Sequence, residues 1–455
     1  MTELFKKLAI NCMFIFLILF LRNRNHFIRF FTKFSTKDTI KSKNQNNVIR
    51  IGIYAYSLSN GGVERNTALL LNYLSTNKIF DLHFFYQFKS TSEYKISLNI
   101  KRISINSIKY EHIFLKRKLM KYKIEIFLYQ QYEETIILML KSLKKVKIIF
   151  YNHSSFLIWI YSHDIAVFSS VYNHYKNSKF VISLIHFEND YLFKKWGIQS
   201  IYMNNFITFE YEKVIQSDLS SNNILMIGRA DDKNKRFDLG IKAMKYIIKK
   251  INNCQMIITS KNDKLDELKL LIKTLSLDNN IKFAGYSSNP EIYFKNISLH
   301  IFPSIAEAFP MVLSETKIYG IPSILVGIDY ITTSKEGVIV VYDDNPETIA
   351  NHAIKLLSNM MYRKKIGKAA RRSMKKLSNI FLFKKWKKLI LAVNEGEDSY
   401  RRLVNEDKPI PENESIYILK NQINLLKKRE NCFKNITFRN ILNFSFVKNL
   451  NCIKF

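Results

Sequence analysis

The sequence predicts an α/β protein of two doubly wound parallel-sheet domains facing across a cleft, on three observations. Short apolar runs alternate with longer mixed segments from "NVIRIGIYAY" at 47 to 56 onward, the pattern of strands covered on both faces by helices. That rhythm stops in the polar stretch "EKVIQSDLSSNN" and restarts at "NNILMIGR", 222 to 229, so it describes two units. The chain of 455 residues, 47% hydrophobic and 14% aromatic, has room for two or three domains with large cores, and no short tandem repeat points to a solenoid or propeller.

Residues 1–46 stand apart as an apolar and basic segment. "LAINCMFIFLILFL" at 8 to 21 follows Lys6 and Lys7 and precedes Arg22, Arg24, Arg29 and Lys33. As a helix it would rise about 21 Å, short of the roughly 30 Å hydrocarbon core, and the bulky, cationic "FLRNRNHF" does not suit a signal-peptide cleavage site. The expectation is a membrane anchor or interfacial helix, with a helix packed on the protein as the alternative. Positive charge C-terminal to it would keep the bulk of the chain cytoplasmic, on the cytoplasmic face of a membrane.

Residues 47–215 are expected to form the N-terminal Rossmann-like domain, with strands at "IEIFLYQ" (124 to 130), "VKIIFYN" (146 to 152) and "KFVISLI" (179 to 185) and helix-length stretches at 62 to 75 and 131 to 143. A linker falls near 210 to 221. Residues 216–375 form the second Rossmann-like domain, with strands in "NNILMIGR", "CQMIITS", "IKFAGY", "SLHIFPS" and "IPSILVG". Residues 376–394 read as a helix that returns to the first domain. Residues 395–455 read as a polar, then basic and aromatic tail, either a membrane-surface or partner-binding segment or an appendage without chemistry.

The formal charge is +33, from 71 Lys and Arg against 38 Asp and Glu, dispersed along the chain. Such a field attracts nucleic acid, an anionic membrane surface or a phosphorylated small molecule alike, and mostly solvated lysines explain it equally well. Cys12, Cys254, Cys432 and Cys452 have no metal-ligand spacing, which argues against structural zinc or a disulfide framework and suits a reducing compartment.

Chemistry collects where strands end. In "YSLSNGGVERNTALLLNYL", Gly61 and Gly62 sit at a turn into a helix, whose N-terminus would hold a phosphate. In "IGRADDKNKRFDLGIKAM", Gly228 and Arg229 end a strand and Lys235 precedes a helix, a guanidinium and an ammonium suited to a diphosphate. "EAFPMVLSE", 307 to 315, follows "LHIFPS", so Glu307 lies in a loop and a helix starts after Phe309. Pro310 suits that start, the N–H groups from Met311 through Val312 to Leu313 would face an anion, and Glu315 would point back to the cleft one turn on. Two carboxylates around an anion site are best explained by hydroxyls that need acceptors, one set on a sugar and one on a ribose.

Taken together, these residues resemble the retaining glycosyltransferases of family 4, which adopt the GT-B fold. The marks are Glu307 and Glu315 at their spacing, Gly228 and Arg229 with Lys235, the early Gly61 and Gly62, and a "G-x-P" at Gly320 and Pro322; the resemblance spans about residues 50 to 394. It implies that residues 47–215 are the acceptor domain and residues 216–375 the nucleotide-sugar donor domain, and that Glu307 contacts the donor sugar, Glu315 the ribose, Arg229 and Lys235 the diphosphate, and the backbone around Phe309, Pro310, Met311 and Val312 the phosphate and sugar. His153, in "FYNHSS", matches a histidine often found near the donor sugar, while a structural role for it stays open. Ala308 and "TSKND" depart from the family pattern, which leaves donor choice open, and Thr316, where the family usually has alanine, is a mild change compatible with helix packing.

The activity implied is retaining transfer of a sugar from a nucleotide diphosphate sugar, such as a UDP-sugar, to a glycan or lipid-linked acceptor in cell-surface polysaccharide or glycolipid synthesis. No Asp-x-Asp motif occurs, so no metal and no cofactor is expected, and charge on the leaving diphosphate would be met by Arg229, Lys235 and helix N-termini. Two alternatives belong to other classes. A non-catalytic GT-B-like subunit would be expected to lack one of Glu307, Glu315, Arg229 or Lys235; a nucleic-acid-binding protein should concentrate its charge on one face interleaved with aromatics, and no nucleic-acid partner is expected.

Overall fold

The computed structural model describes residues 48 to 407 except 60, 91, 106–109, 156–174, 176–177, 186–187, 190–196, 230–232, 261–264, 288, 306 and 328–335, together with 417, 418 and 421. The apolar segment at 8 to 21 and nearly all of the tail after 407 lie outside the described residues. Among the described residues, no helix is long and apolar enough to cross a membrane.

In chain order, the first unit runs β1 (Ile49–Tyr54), α1 (Gly62–Ser75), β2 (Phe80–Tyr86), β3 (Lys101–Ser104), α2 (Glu111–Lys121), β4 (Ile126–Tyr129), α3 (Glu134–Lys141), β5 (Lys147–Asn152), β6 (Phe180–Ser183) and β7 (Ile201–Tyr202). The strands are parallel in the order β3-β2-β1-β4-β5-β6-β7. Their centre is buried from both faces, which is why β4 "IFLY" and β6 "FVIS" are buried throughout.

The second unit runs β8 (Asn223–Ile227), α4 (Phe237–Ile247), β9 (Gln255–Thr259), α5 (Asp266–Thr274), β10 (Ile281–Phe283), β11 (Leu299–Phe302), α6 (Met311–Ile318), β12 (Ser323–Val326), β13 (Val338–Val341), α7 (Pro346–Ser358) and α8 (Met360–Met374). Its parallel sheet has the order β10-β9-β8-β11-β12-β13. In both sheets the connections reverse direction at one place, between β1 and β4 and between β8 and β11. Crevices open at such points, outside the C-terminal ends of the strands.

Strands β2, β3, β7 and β13 go beyond the apolar runs singled out in the sequence. β3 and β7 are short, and β3 exposes Lys101 and Arg102, so neither carries a long apolar run. β2 is interrupted by His83, which is buried nonetheless.

After α8 the chain returns to the first unit. In α9 (Asn379–Glu395), Leu382, Trp386, Leu389, Ile390 and Val393 join the first unit's core, and the Trp386 ring meets Tyr151 edge-on at 5.5 Å. The packing continues past 395, where composition reads as tail. In α10 (Glu397–Glu406), Tyr400, Leu403 and Val404 recur at helical spacing on one buried face. The Tyr400 hydroxyl donates to Val181 O at 2.6 Å and accepts from Val181 N–H at 2.9 Å, fixing α10 to β6.

Candidate active site

The carboxylate pair of "EAFPMVLSE" is held by cations from two different places. Glu307, in the loop after β11, pairs with Lys235 Nζ at 2.5 Å, and both side chains are largely buried, 12% and 18% exposed. Lys235 ends a short 3-10 turn ahead of α4, and its ammonium also lies 5.6 Å from the centre of the Phe302 ring. Lys235 and Glu307, 72 residues apart in the chain, therefore meet at the β8/β11 switch point.

Glu315 is 1% exposed on α6. Its Oε1 takes Arg65 Nη1 at 2.5 Å and the Thr208 hydroxyl at 2.7 Å, while its Oε2 is buried without a partner. Arg65 comes from α1 of the first unit, so this ion pair crosses between the two sheets' domains. Burial, the largest single influence, works against the Arg65 charge, but Glu315, Tyr94 and Tyr286 together outweigh it and hold the guanidinium above its ordinary range. The Tyr94 hydroxyl accepts from Arg65 Nε at 3.3 Å.

The helix start between the two glutamates differs from expectation in one respect. Pro310 caps α6, yet Leu313 N–H already donates to Pro310 O at 3.1 Å. A tight first turn uses that donor, so Met311 and Val312 are the N–H groups left to an anion there. Phe309 O accepts from Asn205 Nδ2 at 3.4 Å, and Asn205 Oδ1 accepts from the Tyr151 hydroxyl at 3.1 Å.

The Gly61-Gly62 turn does lie against this helix start, since a Cβ on Gly62 would stand 3.8 Å from Met311 Sδ. The expected empty phosphate cradle, however, is filled by the chain itself. A Cβ on Gly61 would overlap the Glu64 carboxylate, which folds back over the α1 N-terminus and bonds its own backbone. Burial raises the Glu64 pKa, and Arg229 pulls it down, which places Arg229, exposed after β8, across from Glu64. A phosphate at this turn must displace or protonate Glu64.

His153 follows β5 beside Tyr151, with ring centres 4.0 Å apart. Its Nε2 lies 2.6 Å from Gln130 Oε1, while Gln130 Nε2 donates to Tyr54 O at 3.2 Å. The amide is thereby oriented, so its oxygen faces the ring and His153 Nε2 carries the proton. Burial lowers the His153 pKa to about 3. At neutral pH such a ring orients by hydrogen bonding and stores no proton.

Arg65, Thr208, Glu64 and Gln130 were not singled out in the sequence. For Arg65 a signal existed: it lies in the first turn after the glycine pair, in "GGVER", on the helix end that faces the cleft.

Two parallel-sheet domains, with paired carboxylates and cations where both sheets open, define the GT-B class of two-domain protein. Solved structures of that shape agree: sucrose-phosphate synthase from Thermosynechococcus elongatus (15% identical, TM-score 0.64, covering 76% of this chain and 99% of that one) and WaaG, a glycosyltransferase involved in lipopolysaccharide biosynthesis (14%, 0.59, 75% and 99%). HepE of Anabaena, solved in complex with UDP and glucose, is 11% identical with a TM-score of 0.61 and covers 76% of this chain and all of that one. More particularly, residues 208–373, nearly all of the second unit, match the model for glycosyl transferases group 1.

Among curated relatives, an undecaprenol-linked 4-alpha-N-acetylgalactosaminyltransferase of Campylobacter jejuni is 26% identical over 298 residues, 59% of this chain and 78% of that protein. An uncharacterized glycosyltransferase of Haemophilus influenzae is 23% identical over 145 residues, and the chain spans 41% of that relative's length.

Proposed function

We propose that this protein is a retaining glycosyltransferase that moves a sugar from a nucleotide diphosphate sugar to a glycan or lipid-linked acceptor of the cell surface. The observation that carries the reading is the buried Glu315 carboxylate, which has one oxygen committed to Arg65 and Thr208 and the other without a partner. A buried acceptor without a donor is costly, and two ribose hydroxyls would supply the missing hydrogen bonds.

Glu307 would accept from donor-sugar hydroxyls. Lys235, an ammonium with three N–H groups, would bond Glu307 and a diphosphate oxygen together, with Arg229 and the N–H groups of Met311 and Val312 completing the leaving-group site. His153 would orient the sugar as a neutral donor. The charge is met by protein cations, with no metal required. The lipid-linked substrate in the Campylobacter relative's name supports a membrane-bound acceptor, and the apolar segment at 8 to 21 with the +33 charge supports work at the cytoplasmic face of an anionic membrane.

The test is transfer from UDP-glucose, UDP-N-acetylglucosamine and UDP-N-acetylgalactosamine to undecaprenyl-diphosphate-linked N-acetylhexosamine, read by NMR of the new anomeric proton. An α product from an α donor is expected from wild type, with turnover about 10²-fold lower or less in Lys235→Met. A β product would contradict retention, and no turnover with any nucleotide sugar would contradict the reading itself.

A further inference from the structure

The turn that carries Lys235 is held in a conformation that its sequence disfavours. Arg236, the one residue between Lys235 and α4, has φ +49° and ψ +48°, the left-handed region that glycine and asparagine usually occupy and in which other side chains are crowded. Arg236 is also the N-cap of α4, yet its side chain makes no capping hydrogen bond there. Neither the backbone nor the helix end therefore accounts for an arginine at 236. Its charge does: Nη1 lies 2.7 Å from Asp344 Oδ1, a direct ion pair without hydrogen-bond alignment, between side chains that are only 14% and 17% exposed.

Asp344 is a firm anchor for that pair. It lies in the loop between β13 and α7, where Asp343 accepts from Asn345 N–H at 3.2 Å and from the Thr348 hydroxyl at 3.1 Å, and Asn345 caps α7 by accepting from Glu347 N–H at 2.9 Å. Helix α7 in turn packs on α4, with Ile349 and Ala353 in the same core as Ala243 and Ile247. On the other side of the turn, Asn234 O accepts from Ile305 N–H at 2.8 Å, in the loop that leads to Glu307. A Cβ on Gly228 would stand 3.6 Å from Lys235 Cδ, so the lysine stem runs along the end of β8. The turn is thus tied to the Glu307 loop through Asn234 and to α7 through Arg236, with Lys235 between the two ties. A strained residue persists only where its surroundings over-determine it, and here the strain adjoins the cation of the leaving-group site.

We propose that Arg236 and Asp344 are positioning residues for Lys235: their ion pair holds the strained turn so that the ammonium stands between Glu307 and the diphosphate of the donor. Both act through Lys235, and neither touches the nucleotide. The proposal rests on the glycosyltransferase reading and deepens its leaving-group site. It also predicts the opposite sign from simple electrostatics. Asp344 is an anion one ion pair away from a site for an anion, so through space the loss of its charge strengthens diphosphate binding, and a guanidinium released from it is one more cation for the phosphates. If the pair positions Lys235, the same change weakens binding.

The experiment titrates UDP, GDP and ADP into the full chain by calorimetry and carries the nucleotide that binds wild type to Asp344→Asn, Arg236→Gln, these two combined, Lys235→Met, and Lys235→Met with Asp344→Asn. Each protein is titrated below its melting transition, which circular dichroism locates. Asp344→Asn and Arg236→Gln are each expected to lose several-fold in affinity, and the two combined to lose no more than either alone, since both remove one pair. In the Lys235→Met background, Asp344→Asn should add nothing. Asp344→Glu, which keeps the charge, should recover part of the loss. Tighter binding by Asp344→Asn would overturn the proposal in favour of through-space electrostatics. Unchanged affinity with a lowered melting temperature would overturn it in favour of an ion pair that only stabilises the fold. A further loss when Asp344→Asn is added to Lys235→Met would overturn it too, because the pair would then act by another route. No nucleotide binding to wild type, or binding that Lys235→Met leaves intact, would instead remove the donor-site reading and the proposal with it, so the two failures are separable.

Discussion

Glu315 has little reason to be where it is unless a ligand completes it. Its charge is buried, one oxygen is satisfied by Arg65 and Thr208, and the other is not. Replacing Arg65 by Met removes the buried partner and leaves Glu315 uncompensated, which is expected to cost about 3–5 kcal/mol in chemical denaturation, whereas Arg65→Met with Glu315→Met together should cost much less than the sum. Equal and additive losses would show that the pair carries no coupling. A second expectation concerns pH. His153 titrates near about 3 in the folded chain, below the ordinary value of ~6.5 that it would have unfolded. Between those values the unfolded chain binds a proton that the folded chain refuses, so stability rises with pH across the window and is lost on acidification through it. Buried His300, lowered to about 3 by the same cause, adds to the slope. The melting temperature of wild type should therefore fall more steeply from pH 6.5 toward 4 than that of His153→Gln, and parallel curves would contradict the burial of this ring. At this scale the sequence exposes Glu307, Glu315, Arg229 and Lys235 because their order is a motif. It hides Arg65 as the partner of Glu315, since that contact joins positions 250 residues apart and depends on how two domains meet.

The elements explain why a motif glycine stands beside the site. At the end of α6, Gly320 has φ +72°, Ile321 N–H donates to Thr316 O at 3.0 Å and Gly320 N–H to Lys317 O at 3.0 Å, a left-handed helix stop. A Cβ there would also stand 3.1 Å from Gln216 Oε1 and 3.6 Å from Gly367 O of α8. Gly320→Ala is thus expected to destabilise by about 1–2 kcal/mol, measured by urea denaturation, and to shift α6 with Glu315 on it. A neutral Gly320→Ala would show that the cap is not set by backbone conformation. The strands that carry site residues at their ends were legible as apolar runs, because buried parallel strands need no alternation. α10 was not, because half of its residues are charged: "EDSYRRLVNE" offers only Tyr400, Leu403 and Val404 to the core, and composition outweighs so sparse a stripe.

For the whole molecule, the return of α9 and α10 to the first unit makes these two late helices part of the domain that contains β1. Trp386, 1% exposed and packed on Tyr151, joins α9 to the residue whose hydroxyl leads through Asn205 to Phe309. Trp386→Ala is expected to cost about 3–5 kcal/mol and to loosen the His153 side of the cleft, seen as denaturation of the first domain at lower urea. An unchanged midpoint would mean that α9 contributes little to that core. The two-domain plan was readable from one interruption of rhythm near 210 to 221, but the cross-cleft pairing of Arg65 with Glu315 was not. It belongs to no local segment, and only the assembled sheets bring those helices face to face.

The central claim, that Glu315, Glu307 and Lys235 form a nucleotide-sugar site, is tested most directly by calorimetric titration of UDP, GDP and ADP into wild type, Glu315→Ala and Lys235→Met. One nucleoside diphosphate is expected to bind wild type and to lose at least tenfold in each variant, since Glu315→Ala removes the ribose acceptor and Lys235→Met the diphosphate cation. Binding that is indifferent to both substitutions, or no binding by any of the three nucleotides, would contradict it.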